Sequence, residues 1–182
     1  TLSRTAGLPE CYDLSNCTGD PAAGCLKEEG SGCAFKPHIF RCTGNTHRYP
    51  KRVDCPGYRL PTAAEWEWAA RGGTTTGTYV GDMTLDLRES ECEPDPLMDS
   101  VAWHSCNSEL ILHPVGELIP NAYGLYDMLG NAGEWVDDIF NGAGLLTNSR
   151  TTPPLIDPVG VSDYERTLRG MRGGSVVHPS CN

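Results

Sequence analysis

NAYGLYDMLGNAGEWVDD, residues Asn121 to Asp138, sets large apolar side chains (Leu125, Tyr126, Met128, Leu129, Trp135) beside oxygen-bearing ones (Asp127, Asn131, Glu134, Asp137, Asp138) and breaks the run with glycines. The apolar half is expected to anchor a turn in the core through Leu125, Leu129 and Trp135. The oxygen-bearing half has two readings. Either Asp127 and Glu134 cap turns by accepting hydrogen bonds from nearby amides, or they belong to a loop that turns several oxygens toward a hard cation.

Upstream, GYRLPTAAEWEWAARGG (Gly57 to Gly73) contains the clearest helix signal in the chain. Thr62 is placed to accept from a backbone amide as N-cap, and Glu65 three residues on reaches back to the N-cap amide, which makes a capping box. Trp66, Ala69 and Ala70 then share one face at helical spacing, and Arg71-Gly72-Gly73 forms a basic last turn with a glycine stop. Downstream of it, Val101-Ala102-Trp103 and Ile111-Leu112 read as short apolar runs ended by breakers. Asn141 to Asp163, rich in Gly, Thr, Asn and Pro, reads as a surface loop. Arg166 to Gly170 and Met171 to Val177 read as extended segments, with Gly173 and Gly174 where backbones approach closely.

The chain of 182 residues carries 21 Gly and 14 Pro against 38% hydrophobic residues, which leaves little room for long helices or strands. One loop-rich domain follows. A net charge of −10 opposes nucleic-acid phosphates and anionic lipid. No apolar run is long enough to insert in a membrane, so neither partner is expected.

Nine cysteines are too many for a reduced cytosolic chain of this size, and none form a closely spaced pair of the zinc or redox type. Six (Cys11, Cys17, Cys25, Cys33, Cys42, Cys55) make residues 1–56 a Cys-rich, disulfide-stabilised insertion whose connectivity the sequence leaves open. Cys92 and Cys106 are expected to close one Pro-rich acidic loop, and Cys181 is left over. Disulfides place the protein outside the cytoplasm, secreted, periplasmic or at the cell surface. The sequence shows no signal peptide, so the export signal is expected to lie outside this chain.

Three stretches in fixed order, GYRLPTAAEWEWAARGG, NAYGLYDMLGNAGEWVDD and RGMRGGS (Arg169 to Ser175), closely resemble the sulfatase-modifying-factor family, whose best-known members are formylglycine-generating enzymes. The resemblance implies an α+β domain of the C-type-lectin-like kind, loop-rich, with residues 57–182 as a partial sulfatase-modifying-factor domain. It also implies a fold truncated at both ends, since family domains carry strands and helices before the position of Thr1 and after that of Asn182. In relatives that bind calcium in this motif, the position of Asp127 gives a side-chain oxygen, those of Gly130 and Ala132 give main-chain carbonyls, and that of Glu134 gives a carboxylate. All four positions are compatible here.

Formylglycine-generating relatives oxidise a substrate cysteine with molecular oxygen and a copper(I) ion held by two cysteines that follow the Gly-Gly-Ser motif. Soft thiolate pairs suit that ion. Here Gly173-Gly174-Ser175 continues as Val176-Val177-His178-Pro179-Ser180-Cys181, so Ser175 and Cys181 are the only catalytic candidates and the first cysteine has no counterpart. Catalytic relatives also carry a Trp at the position of Gly133. His104 and His113, near Cys106, read as structural imidazoles.

These departures point to a calcium-stabilised, non-oxidase binding or scaffold module that recognises a protein, peptide or carbohydrate. The alternatives are a copper-dependent oxidase converting a sulfatase cysteine to formylglycine, and a domain assisting another enzyme.

Overall fold

The computed structural model describes residues 2–19, 40–43, 47–82, 95–139 and 169–176. Two compact units, Thr1–Arg59 and Leu60–Asn182, divide the chain. Regular elements are few and short, a mixture of helix and strand. Among the described residues no helix is long and apolar enough to cross a membrane.

In the first unit, helix α1 (Leu2–Thr5) precedes a two-stranded antiparallel ladder of β1 (Cys17–Gly19) and β2 (Phe40–Cys42). The Cys11–Cys55 disulfide, with a sequence separation of 44, cross-links this unit. A loop of that length restricts the unfolded chain by roughly 4 kcal/mol. Cys17 is also disulfide-bonded, while Cys25 and Cys33 lie outside the described residues. Buried Ser3 takes the Tyr58 amide on its hydroxyl at 2.8 Å, and a Cβ on Gly57 would collide with the Pro9 carbonyl. On the exposed side, the Ser15 amide bonds the Asp13 carboxylate and holds its pKa below the ordinary value.

The second unit is built on α2 (Ala63–Arg71), where the sequence placed it. Thr62 and Glu65 complete the capping box, and Gly72 ends the helix in the left-handed conformation at φ 57°. Trp66 and Ala70 face inward and join Ala63, Met128 and Val136 in one core cluster. A second cluster (Met98, Val101, Ala102) lies under α3 (Pro96–Asp99), with Tyr79, Val80 and Leu129 packed on it.

Strands β3 (Ala102–Trp103) and β4 (Leu129–Gly130) pair in parallel, and β5 (Glu134–Ile139) pairs antiparallel with β6 (Arg169–Arg172). Cys106 is disulfide-bonded; its expected partner Cys92, and the loop Asn141 to Asp163, lie outside the described residues.

One sequence expectation is corrected here. Trp135 is 53% exposed and Leu125 38%; only Leu129 of the three expected anchors packs on a core cluster. The reason is strand alternation. Val136 goes under α2, so its neighbour Trp135 points the other way, beside Met171 of β6. Ile111 and Leu112, read as a short apolar run, are exposed, and the Ile111 amide donates to the Ser108 carbonyl to close a turn.

Candidate functional site

Residues 127–134 run through β4 and the short turn, residues 131–133, that connects it to β5. Asp127 and Asn131 both adopt positive φ, 55° and 54°, conformations that short polar side chains tolerate better than most. Gly130 sits at φ 76°, and a Cβ there would strike the Trp103 backbone. The turn is held from three sides. The Gly130 amide donates to the Gly173 carbonyl, the Asn131 amide to the Trp103 carbonyl, and the Val176 amide to the Asn131 carbonyl. Buried Asn131 also clamps the neighbouring loop, giving its Nδ2 to the His113 carbonyl and accepting the His113 amide, each at 3.1 Å.

The two expected carboxylate ligands each spend one oxygen on the protein. Asp127 Oδ2 accepts the Gly116 amide at 2.8 Å, and Glu134 Oε2 accepts the Trp66 indole at 2.5 Å. Both residues are half-buried. Carboxylates that bind a cation are commonly fixed in this way by a hydrogen bond to one oxygen. The Ala132 carbonyl accepts no hydrogen bond among the described residues, and the side chain of Ala132 is exposed. These are oxygen donors of the hard type that calcium takes, although among the described residues no three His, Cys, Asp or Glu side chains gather closely enough to hold an ion by themselves.

The candidate redox end differs. Past Ser175, Val176 is buried at 6%, and its carbonyl takes the Ser108 hydroxyl. The described chain thus continues from the Gly-Gly-Ser motif into an aliphatic core residue. Cys181 lies outside the described residues. At Gly133 the terminal methyl of Met171 stands where a Cβ would be. Two of the histidines are engaged by the protein itself: buried His104 meets Asp99 at 2.9 Å, and His113 stacks on Trp103 with ring centroids 3.7 Å apart.

Sequence reasoning missed the polar groups at the ends of α2. Asp138, 1% exposed, accepts the Ala63 amide on Oδ2 at 2.6 Å. Asn121, 4% exposed, gives Nδ2 to the Ala69 and Ala70 carbonyls at 2.7 and 3.2 Å. The stretch that opens with Asn121 and closes with Asp138 thus caps both termini of one helix. Asp137, also 1% exposed, meets Arg169 Nη1 at 2.9 Å.

The family model for the sulfatase-modifying factor enzyme 1-like domain matches residues 14–182. The chain belongs to this family. The match takes in most of the Cys-rich segment as well as the turn and the Gly-Gly-Ser motif. A formylglycine-generating enzyme of Thermomonospora curvata is 35% identical over 142 residues, covering 69% of this chain and 41% of that protein. The chaperone protein LppX of Paenibacillus barcinonensis is 40% identical over 88 residues, covering 43% of this chain and 30% of that protein. The inactive C-alpha-formylglycine-generating enzyme 2 of Mus musculus is 35% identical over 95 residues, covering 48% of this chain and 28% of that protein. This family member therefore spans less than half the length of each of these relatives.

Proposed function

We propose that this chain is part of an exported, calcium-stabilised, non-oxidase member of the family, with a C-type-lectin-like fold whose loops serve as a binding or scaffold surface. The observation that carries the reading is the contrast between the two ends of the site. The turn from Asp127 to Glu134 keeps oriented carboxylates and main-chain oxygens suited to calcium. The Gly-Gly-Ser end, by contrast, runs into buried Val176, with Met171 covering Gly133.

Asp127 and Glu134 would hold the ion by their carboxylates, with Gly130 and Ala132 supplying carbonyls. Bound calcium would neutralise charge and cross-link the turn. Two relatives support a role without oxidation, one named a chaperone and one named inactive. The Cys11–Cys55 bridge supports an oxidising compartment.

Two measurements test this. Chelation with EDTA should lower the melting temperature and added calcium restore it, with Glu134→Ala abolishing the response. A chain whose melting is indifferent to chelation is not calcium-stabilised. Separately, copper(I) titration with mass spectrometry of a cysteine-containing sulfatase peptide should show neither tight binding nor aldehyde. Conversion of the cysteine would establish the copper-oxidase alternative, which the relatives named formylglycine-generating enzymes favour.

A further inference from the structure

Leu110, Ile111 and Leu112 follow one another in sequence and are all exposed, and Val115, at 82% exposure, joins them three residues on. A run of exposed aliphatics forfeits the burial that ordinarily stabilises a chain. Loose backbone is not the reason. The His113 amide and carbonyl are both held by the Asn131 side chain, and the Gly116 amide is held by Asp127. The stretch is therefore pinned on either side of Pro114 and Val115 while its aliphatic side chains stay in water.

The turn that begins the stretch is strained. Glu109 and Leu110 both adopt positive φ, 53° and 60°, and the Ile111 amide closes on the Ser108 carbonyl at 3.0 Å. Asn-Gly takes up such a turn at little cost, whereas Glu and Leu carry a steric penalty at each Cβ. A chain that needed only the turn would be more stable with Asn in place of Leu110. Strain kept at an exposed leucine points to a use for that side chain.

The charge along the stretch is one-sided. Glu109 and Glu117 flank it and are both exposed, and the sequence has no Lys or Arg between Arg88 and Arg150. His113 Nδ1 stands 4.0 Å from Glu117 Oε2, beyond hydrogen-bond distance. A second copy of this chain would bring the same acids against these, and an anionic surface would be repelled. An apolar segment that carries Lys or Arg matches both the aliphatic side chains and their acidic flanks.

We propose that residues 109–117 are a docking surface for a cationic amphipathic segment of a partner protein. The apolar side chains of that segment pack on Leu110, Leu112 and Val115, and its Lys or Arg side chains meet Glu109 and Glu117. Because Asn131 and Asp127 already fix the backbone, little ordering remains to oppose binding. The proposal rests on the reading of the loops as a binding surface and is independent of calcium, so a chain that melts indifferently to EDTA leaves it untouched.

The test is the fluorescence anisotropy of a short labelled peptide of Leu and Lys at helical spacing, titrated with the 182-residue chain. Two sister peptides replace every Lys by Glu or every Leu by Ser. The Leu–Lys peptide should bind with a dissociation constant of about 10–100 µM and weaken as salt rises. Each sister peptide should bind at least about tenfold more weakly.

Leu112→Ser and Val115→Ser, both at exposed positions, should each weaken binding about tenfold with the charge of the chain unchanged. Leu110→Asn should weaken it comparably and raise the melting temperature by about 2–4 °C, because Asn tolerates the left-handed backbone. That rise separates a lost contact from lost folding. A Ser–Lys peptide that binds as tightly as the Leu–Lys one, or aliphatic variants that keep full affinity, would reduce the attraction to net charge and overturn the proposal. So would a dimer of the chain alone that Leu112→Ser dissociates in sedimentation, since the surface would then belong to a second copy.

Discussion

Asp138 Oδ2 accepts the Ala63 amide at 2.6 Å, so a strand residue 75 positions downstream caps the first turn of α2. The helix N-terminus carries partial positive charge and unsatisfied amides, and a buried carboxylate answers both. Asp138→Ala should destabilise the chain by about 1–3 kcal/mol, the cost of leaving a buried donor without its acceptor. A lowered urea midpoint at unchanged slope would report it. A midpoint within error of the parent would mean that the Thr62 capping box alone holds the helix start.

The opposite end depends on Asn121. Its Nδ2 serves the Ala69 and Ala70 carbonyls while its Oδ1 accepts the Tyr123 and Leu125 amides at 3.0 and 3.1 Å. Four backbone groups share this one buried side chain, so Asn121→Ala should cost about 2–4 kcal/mol. Asn121→Asp keeps the acceptor and loses both donors to α2, and its loss should be comparable. Thermal melts of the two variants check the pair. An aspartate variant as stable as the parent would show that the helix carbonyls do not depend on Nδ2.

Arg169 lies beside Asp137 and bonds both its carboxylate and its backbone carbonyl. Asp137 is almost completely buried, whereas the Arg169 side chain is 32% exposed. Removing the cation from a buried pair is costly, and partial exposure of Arg169 reduces that cost. Arg169→Met should lose about 2–4 kcal/mol, and Arg169→Lys less, because an ammonium keeps the charge without the fork. If the two variants melted alike, the charge that lysine keeps would contribute nothing, and attraction to the buried Asp137 carboxylate would not be what Arg169 supplies.

How far the sequence could be read follows from the reach of each interaction. The helix at Ala63–Arg71 was legible because its signals are local: Thr62 and Glu65 are three residues apart, and Gly72 follows directly. The turn at Asp127 to Glu134 was legible as a candidate because its oxygens lie close together along the chain. Trp135 was misplaced because apolar character was read as inward. The alternation of β5, set by Val136 packing under α2, decides the direction instead. Asp138, Asn121 and Arg169 bond groups 75, 52 and 32 residues away, and nothing near them in the chain announces those partners. The Cys11–Cys55 pairing was likewise one of many that the spacing allowed.

Two glycines of the candidate turn should respond to an added methyl with losses of very different size. At Gly130 the backbone is left-handed and the Cβ would meet the Trp103 backbone, which is fixed by the β3–β4 ladder. Gly130→Ala combines strain with a collision that no rotamer relieves, and should cost about 3 kcal/mol or more. At Gly133 the obstructing atom is the end of the half-exposed Met171 side chain, which can swing away. Gly133→Ala should therefore cost under about 1 kcal/mol, and Met171→Ala should cancel that penalty in a double-mutant cycle. A large loss at Gly133 that persists beside Met171→Ala would mean that backbone, not the methionine, closes that position, and the reading of Met171 as the cover over Gly133 would fail.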